Sequence, residues 1–469
     1  MLGARVSRWT MAYFAVALTS FVLAQAWIAA GLSYPALGQL APPTLVAVHL
    51  LTIGWLTLLL LGALQQLVPV IVERPLADDR LGGWSLLFVT VGLVGMIAGF
   101  LQLGPLPSLP LGGAAVMLGG LMAIVNLAPP LLRARPWSLP ARFVVTGLLF
   151  FALTMSLGLA MALALALPAA INPSALRGAL FARGLPLHVI AGIGGWFTLT
   201  AMGVAYKLLA MFTLAPEHRG VVGDWTFRLS AGGLAAVAFV ATARLVYLAR
   251  GLTEPPALAV MTVAGWTALL AGVVLYLVDM ARLYRQRRRA RLELNARFGG
   301  VSLIMLAVGT AAVGLGAVLG RLPALAAPLV YWLLFGWLSG LGLSQLYKIV
   351  PFLTWLERYG PRLGREPVPR VQDLVDERRD QPWFVLYFVA VAVGGFSAVW
   401  EWDAAWRAAA ALSGLATLAI ARELYRVRRA GVGGYIPRPA ARDGTPRSGV
   451  QLPDSKALGS KAQVGSSAR

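Results

Sequence analysis

Apolar residues fall in long blocks along this chain, and Pro, Gly and charge clusters divide them. Twelve blocks can be drawn, at about 9–31, 43–70, 82–103, 110–132, 142–168, 185–213, 225–249, 256–283, 298–320, 324–354, 382–400 and 404–427. Each is close to the roughly 20 residues that a helix needs to cross about 30 Å of hydrocarbon. The pattern predicts an all-α integral membrane protein with twelve transmembrane helices. The first block follows Arg5 and Arg8 and is longer than the ~7–15-residue apolar core of a cleaved signal, so it is expected to remain as the first helix. From about 429 the blocks give way to Gly, Ser, Pro and Arg. A membrane domain over 1–428 and a disordered basic tail over 429–469 are therefore expected.

The polar residues between blocks orient the chain. Basic residues collect in the loops after spans 2, 4, 6, 8 and 10, as in Arg133 and Arg135 or the run from Arg282 to Arg291. The alternate loops carry few, with Arg177, Arg183, Arg250, Arg321 and Arg407 as scattered exceptions. By the positive-inside rule both termini face the cytoplasm. Composition agrees with this picture: 58% of residues are hydrophobic and 13% charged, about half the charge of a soluble domain. A net charge of +21 would point to nucleic acid in a soluble protein. Here the charge sits between apolar runs, so the expected partner is the bilayer and not nucleic acid. The stretch QRRRARLELNAR reads as a topology anchor or a contact for anionic lipid. The absence of Cys removes disulfides, thiolate metal sites and covalent c-type haem.

One phrase recurs. GWLTLLLLGALQQLVP begins at Gly54, GWFTLTAMGVAYKLLA at Gly195 and GWLSGLGLSQLYKIVP at Gly336. Trp55, Trp196 and Trp337 stand at equal intervals of 141 residues, and Gln66, Lys207 and Lys348 follow at a fixed offset. Twelve spans with this period make three units of four helices, about 1–140, 141–283 and 284–428, with spans 2, 6 and 10 equivalent. A two-by-six transporter repeat does not fit.

At this point the chain resembles haem-copper oxidase subunit I and its relative, the large subunit of nitric oxide reductase. In the latter, the second helix has a His, an apolar run with Trp, and then Gly-Ala-x-Tyr-Tyr-Leu-x-Pro. This chain has His49, Trp55 and Gly62-Ala63-Leu64-Gln65-Gln66-Leu67-Val68-Pro69, with His49 one residue nearer to the Trp. The resemblance implies three pseudo-threefold-related four-helix arcs, a bacterial-type inner membrane and a respiratory redox partner. A complete member needs six metal-ligating histidines, whereas this chain has His49, His188 and His218. Span 10 carries Tyr331 where span 2 has His49, and span 7 offers Arg228 and Arg244 in place of a His pair. No copper or dinuclear centre is expected, and neither oxygen nor nitric oxide reduction.

Two readings stand for His49 and His188. They are displaced axial ligands of a b-type haem, serving electron transfer, gas or haem sensing, or respiratory assembly. Otherwise they are inert hydrogen-bonding groups at helix ends. Their offsets from the tryptophans, six and eight residues, place the rings about 200° apart on an α-helix. Tyr331 is a weaker haem-ligand candidate, and His218 reads as a loop residue. Gln65, Gln66, Tyr206, Lys207, Gln345 and Lys348 gather at one end of the repeated helices. They line a polar vestibule or snorkel to headgroups. Asp279 reads as a local pair with Arg282. A non-haem transporter or channel on this scaffold, or an accessory subunit without its own site, are the alternatives.

Overall fold

The computed structural model describes residues 9–103, 107–167, 173–216 and 220–430. Among them every regular element is helical, and twelve helices are long and apolar enough to cross a membrane. In chain order these are α1 (Thr10–Ala29), α2 (Pro42–Val72), α3 (Asp79–Phe100), α4 (Ser108–Arg133), α5 (Leu139–Ala166) and α6 (Ser174–Thr213). The remainder are α7 (Val221–Ala249), α8 (Ala257–Arg285), α9 (Leu294–Val318), α10 (Leu322–Arg358), α11 (Glu377–Val399) and α12 (Asp403–Arg429). Every expected span is present. The expected tail, from 431 on, and His218 lie outside the described residues.

The largest boundary difference is at α6, which begins at Ser174 and not near 185. Gly184 and Pro186 read as punctuation in a sequence. In the structure a wide π turn, Leu180–Gly184, leads directly into the helical turn that Pro186 opens. A proline at a first turn forfeits no needed hydrogen bond.

Burial identifies the core. The apolar windows of α2, α6 and α10 are 72%, 67% and 56% buried, against 22–50% for the other nine. These three helices also carry the repeat. Gly54, Gly195 and Gly336 are each approached by the first helix of their own unit, through Ser20 of α1, Phe150 of α5 and Met305 of α9. The same register recurs one phrase later, where Tyr13 lies on Gly62 and Phe143 on Gly203. The 141-residue period is thus a period of packing as well as of sequence.

Each core helix changes winding at its Gly-Trp pair. Leu50–Thr57, Ala191–Leu199 and Trp332–Ser339 are π-helical, with α-helix on either side. Such wide turns shift the phase of a helix and are rare outside functional regions. They turn three indoles into the centre of the molecule, where Trp55, Trp196 and Trp337 are at most 1% exposed.

Their N–H groups join one unit to the next. Trp196 donates to the Thr57 hydroxyl at 3.0 Å and Trp55 to the Ser339 hydroxyl at 2.8 Å. In both cases the acceptor stands two residues after the neighbouring unit's tryptophan. The third link would run from Trp337 to Thr198, but Trp337 Nε1 has no hydrogen-bond partner among the described residues. Ring stacking breaks the symmetry at the same place. Phe21 stacks on Trp55 at 4.7 Å and Phe151 on Trp196 at 4.4 Å. Leu306 occupies that register in the third unit, and Trp337 instead meets the edge of Tyr276 of α8 at 6.2 Å.

Candidate functional site

His49 ends the α-helical turns that open α2, immediately before its π segment. Its Nδ1 lies 2.7 Å from the Leu45 carbonyl, one turn back. His188 occupies the matching stretch of α6, Leu185–Ile190, and its Nδ1 lies 2.9 Å from the Thr154 carbonyl of α5. A carbonyl only accepts, so each ring carries a proton on Nδ1, and the neutral tautomer so fixed has its lone pair on Nε2. No hydrogen bond to either Nε2 occurs among the described residues. Both imidazoles are half-buried. Phe100 of α3 lies 5.0 Å from the His49 ring, and Gly158 of α5 faces His188 Cε1, where a Cβ would stand at 3.1 Å.

The helices set these two turns against different neighbours. The inner halves, Leu58–Val72 and Thr200–Thr213, pack against each other. The outer stretches pack elsewhere, Pro42–His49 on α1 and α3, and Leu185–Ile190 on α5 and α7. The rotation of about 200° counted on α geometry does not carry over, because π-helical turns intervene in both helices.

A donor set of this kind suits a particular kind of metal group. Two imidazoles are too few to hold a bare ion of the usual coordination, and no group of three or more His, Cys, Asp or Glu among the described residues is placed to do so. Two neutral imidazoles with anchored Nδ1 and bare Nε2 do suit iron that is already held in a porphyrin plane. The backbone carbonyls supply the outer hydrogen bonds that fix tautomer and ring angle.

The third helix of the repeat differs. Tyr331, in register with His49, is buried between Phe335 at 4.6 Å and Trp406 at 4.5 Å, with its hydroxyl against Gly394 of α11.

At the opposite, basic end, the vestibule residues stand on separate neighbours. Gln66 donates to the Thr10 hydroxyl at 3.0 Å, and Gln65 is buried against Gly82 of α3. Tyr206 donates to Asp279 of α8 at 2.9 Å, so this carboxylate serves α6 across the helix interface. Lys348 pairs with Glu293 at 2.5 Å, and Lys207 is half-buried. Gln345 is buried with neither amide atom hydrogen-bonded to a described residue.

Sequence reasoning missed the carboxylates that tie α10, α11 and α12 together. Tyr347, 141 residues after Tyr206, donates to Asp380 at 2.7 Å. Arg379 bridges Asp380 and Glu423, and Arg426 also binds Glu423. The available signal was the pair of equivalent tyrosines, each needing an acceptor. Glu423 is 4% exposed, and Glu423→Ala takes a shared buried carboxylate away from Arg379 and Arg426. The expected loss is about 3 kcal/mol, the low end for breaking a buried pair, because both arginines keep water contact. Thermal melting in detergent should show it, with Glu423→Gln losing less. A Glu423→Ala melt equal to wild type would remove this cluster from the stability account.

No protein-family profile matches this chain, and no curated protein matches its sequence. In structure it is similar to a haem-copper terminal oxidase solved as a dimer by cryo-EM, with TM-score 0.53 and 12% identity over 91% of this chain and 82% of that one. The likeness is one of fold: this is a polytopic membrane protein built as a haem-copper-oxidase-like bundle of twelve helices.

Proposed function

We propose that this chain is an electron-transfer protein of the inner membrane that holds one b-type haem between His49 and His188 and has no dinuclear centre. The supporting observation is the pair of imidazoles, each anchored through Nδ1 to a carbonyl and each with Nε2 unengaged. Haem bound there would supply a one-electron iron couple. His49 and His188 would both hold the iron, and a group so held would carry electrons and would not bind oxygen. The Leu45 and Thr154 carbonyls keep the rings in the ligating tautomer and strengthen them as bases. Three histidines and no cysteine cannot also build a copper or second iron centre.

The two histidines lie toward the end of the bundle away from the basic loops. By the positive-inside rule that end faces away from the cytoplasm, and a redox partner would meet the protein there. The termini are then cytoplasmic. The test is an absorption spectrum of protein purified from haem-replete cells, oxidised and then reduced with dithionite. Sharp low-spin b-type bands on reduction are expected. No Soret absorption in well-folded protein would sink the proposal and leave a transporter or an accessory subunit on the same scaffold.

A further inference from the structure

Among the described residues several buried polar atoms have no hydrogen-bond partner, and Trp337, Tyr276, Gln345 and Asn295 carry them on the neighbouring helices α8, α9 and α10. Trp337 Nε1 and Tyr276 Oη lie at mid-depth, on rings that touch edge to face. Eight residues further along α10, about 12 Å toward the basic end, the Gln345 amide has neither donor nor acceptor satisfied. It is wedged between α9, α8 and α6, with Gly299 beside its Nε2 and Tyr284 and Leu209 around it. Near the start of α9, Asn295 Nδ2 is also without a partner, and this side chain lines a small recess with Lys348 and Glu293. Trp337, Tyr276 and Asn295 are at most 1% exposed and Gln345 is 6% exposed.

The positions equivalent to Gln345 and Trp337 differ in the other units. The positions equivalent to Gln345 are Ala63 and Val204. The indoles equivalent to Trp337 are both hydrogen-bonded, to Ser339 and to Thr57. Left dry, each of these groups would bear its full desolvation cost, and native interiors rarely tolerate that. A bound water beside each group would supply the missing partner.

We propose that the boundary between the second and third units holds a file of bound water, entered beside the Lys348–Glu293 pair and ending at Trp337. The ligand is a small neutral molecule that both donates and accepts. Gln345 is the midway station, and Trp337 and Tyr276 are the closed end. The file stands on these residues alone and does not rest on haem at His49 and His188.

X-ray radiolysis of the wild-type protein in 18O-labelled water tests it, because hydroxyl radicals made from a bound water oxidise the side chain beside it. Peptide mass spectrometry should find 18O on Trp337 and Tyr276. Trp55 and Trp196, equally buried but hydrogen-bonded to protein, should stay unlabelled in the same sample. Equal protection of all three indoles would overturn the file. In a monodisperse Gln345→Leu variant, labelling of Trp337 should fall several-fold while Trp55 is unchanged. Undiminished labelling there would remove Gln345 from the path. If that variant does not fold, the comparison within the wild-type protein decides.

Discussion

His188→Ala, purified beside wild type, should lose the reduced low-spin bands and most of its bound haem, and His49→Ala should do the same. If both rings hold the iron, either substitution would remove one of the two residues holding it, shifting the spectrum from low-spin to high-spin and weakening retention of the group. Misfolding is controlled by adding free imidazole, which should enter the space left by the deleted ring and restore the low-spin spectrum. Tyr331→Phe is the contrasting variant. Its hydroxyl lies against Gly394 among packed aromatic rings, so the spectrum should not change. If both histidine variants keep the wild-type bands, the iron is bound elsewhere and the assignment fails.

Gly112→Ala should be the most damaging single methyl in the first unit. A Cβ there would stand 2.4 Å from the Met96 amide nitrogen and 2.7 Å from the Gly92 carbonyl, both backbone atoms of α3. Overpacking in a yielding core costs about 1–3 kcal/mol. Here no side chain can swing aside, so α3 and α4 must separate and the loss should exceed that range. Gly113→Ala is the internal control. Its Cβ would meet Leu159 Cδ1 at 3.5 Å, an ordinary contact. The same gain in helix propensity applies at both sites, so the difference between them isolates the close approach. Equal melting temperatures for the two variants would mean that this seam does not hold the helices together.

The legible part of the fold was set by solvent. Hydrocarbon demands long apolar helices, so all twelve spans could be read from block length, and the 141-residue period from the spacing of three tryptophans. The π-helical turns were not legible, because Leu50–Thr57 and its counterparts are as apolar as α-helix and no residue marks the change of winding. That omission removes the α-helical basis for the rotation counted between His49 and His188. Asp279 was read beside Arg282 because sequence shows only neighbours along the chain; the fold also brings it the Tyr206 hydroxyl, 73 residues away. Likewise Asp380 and Glu423 were invisible as a pair, since Arg379 joins them only once α11 and α12 are side by side.

The indole links also have a direction in time. Synthesis runs from the N-terminus, so Thr57 is in the membrane before Trp196 arrives to donate to it. The first two units can therefore be joined as soon as α6 is inserted. The Trp55 N–H must wait for Ser339, 284 residues later. Until then the half-made protein carries an unsatisfied donor in hydrocarbon, which is costly. Insertion of α10 relieves it. The last unit is thus the closing piece in biogenesis, and a chain stopped before Ser339 leaves the ribosome with its centre still open.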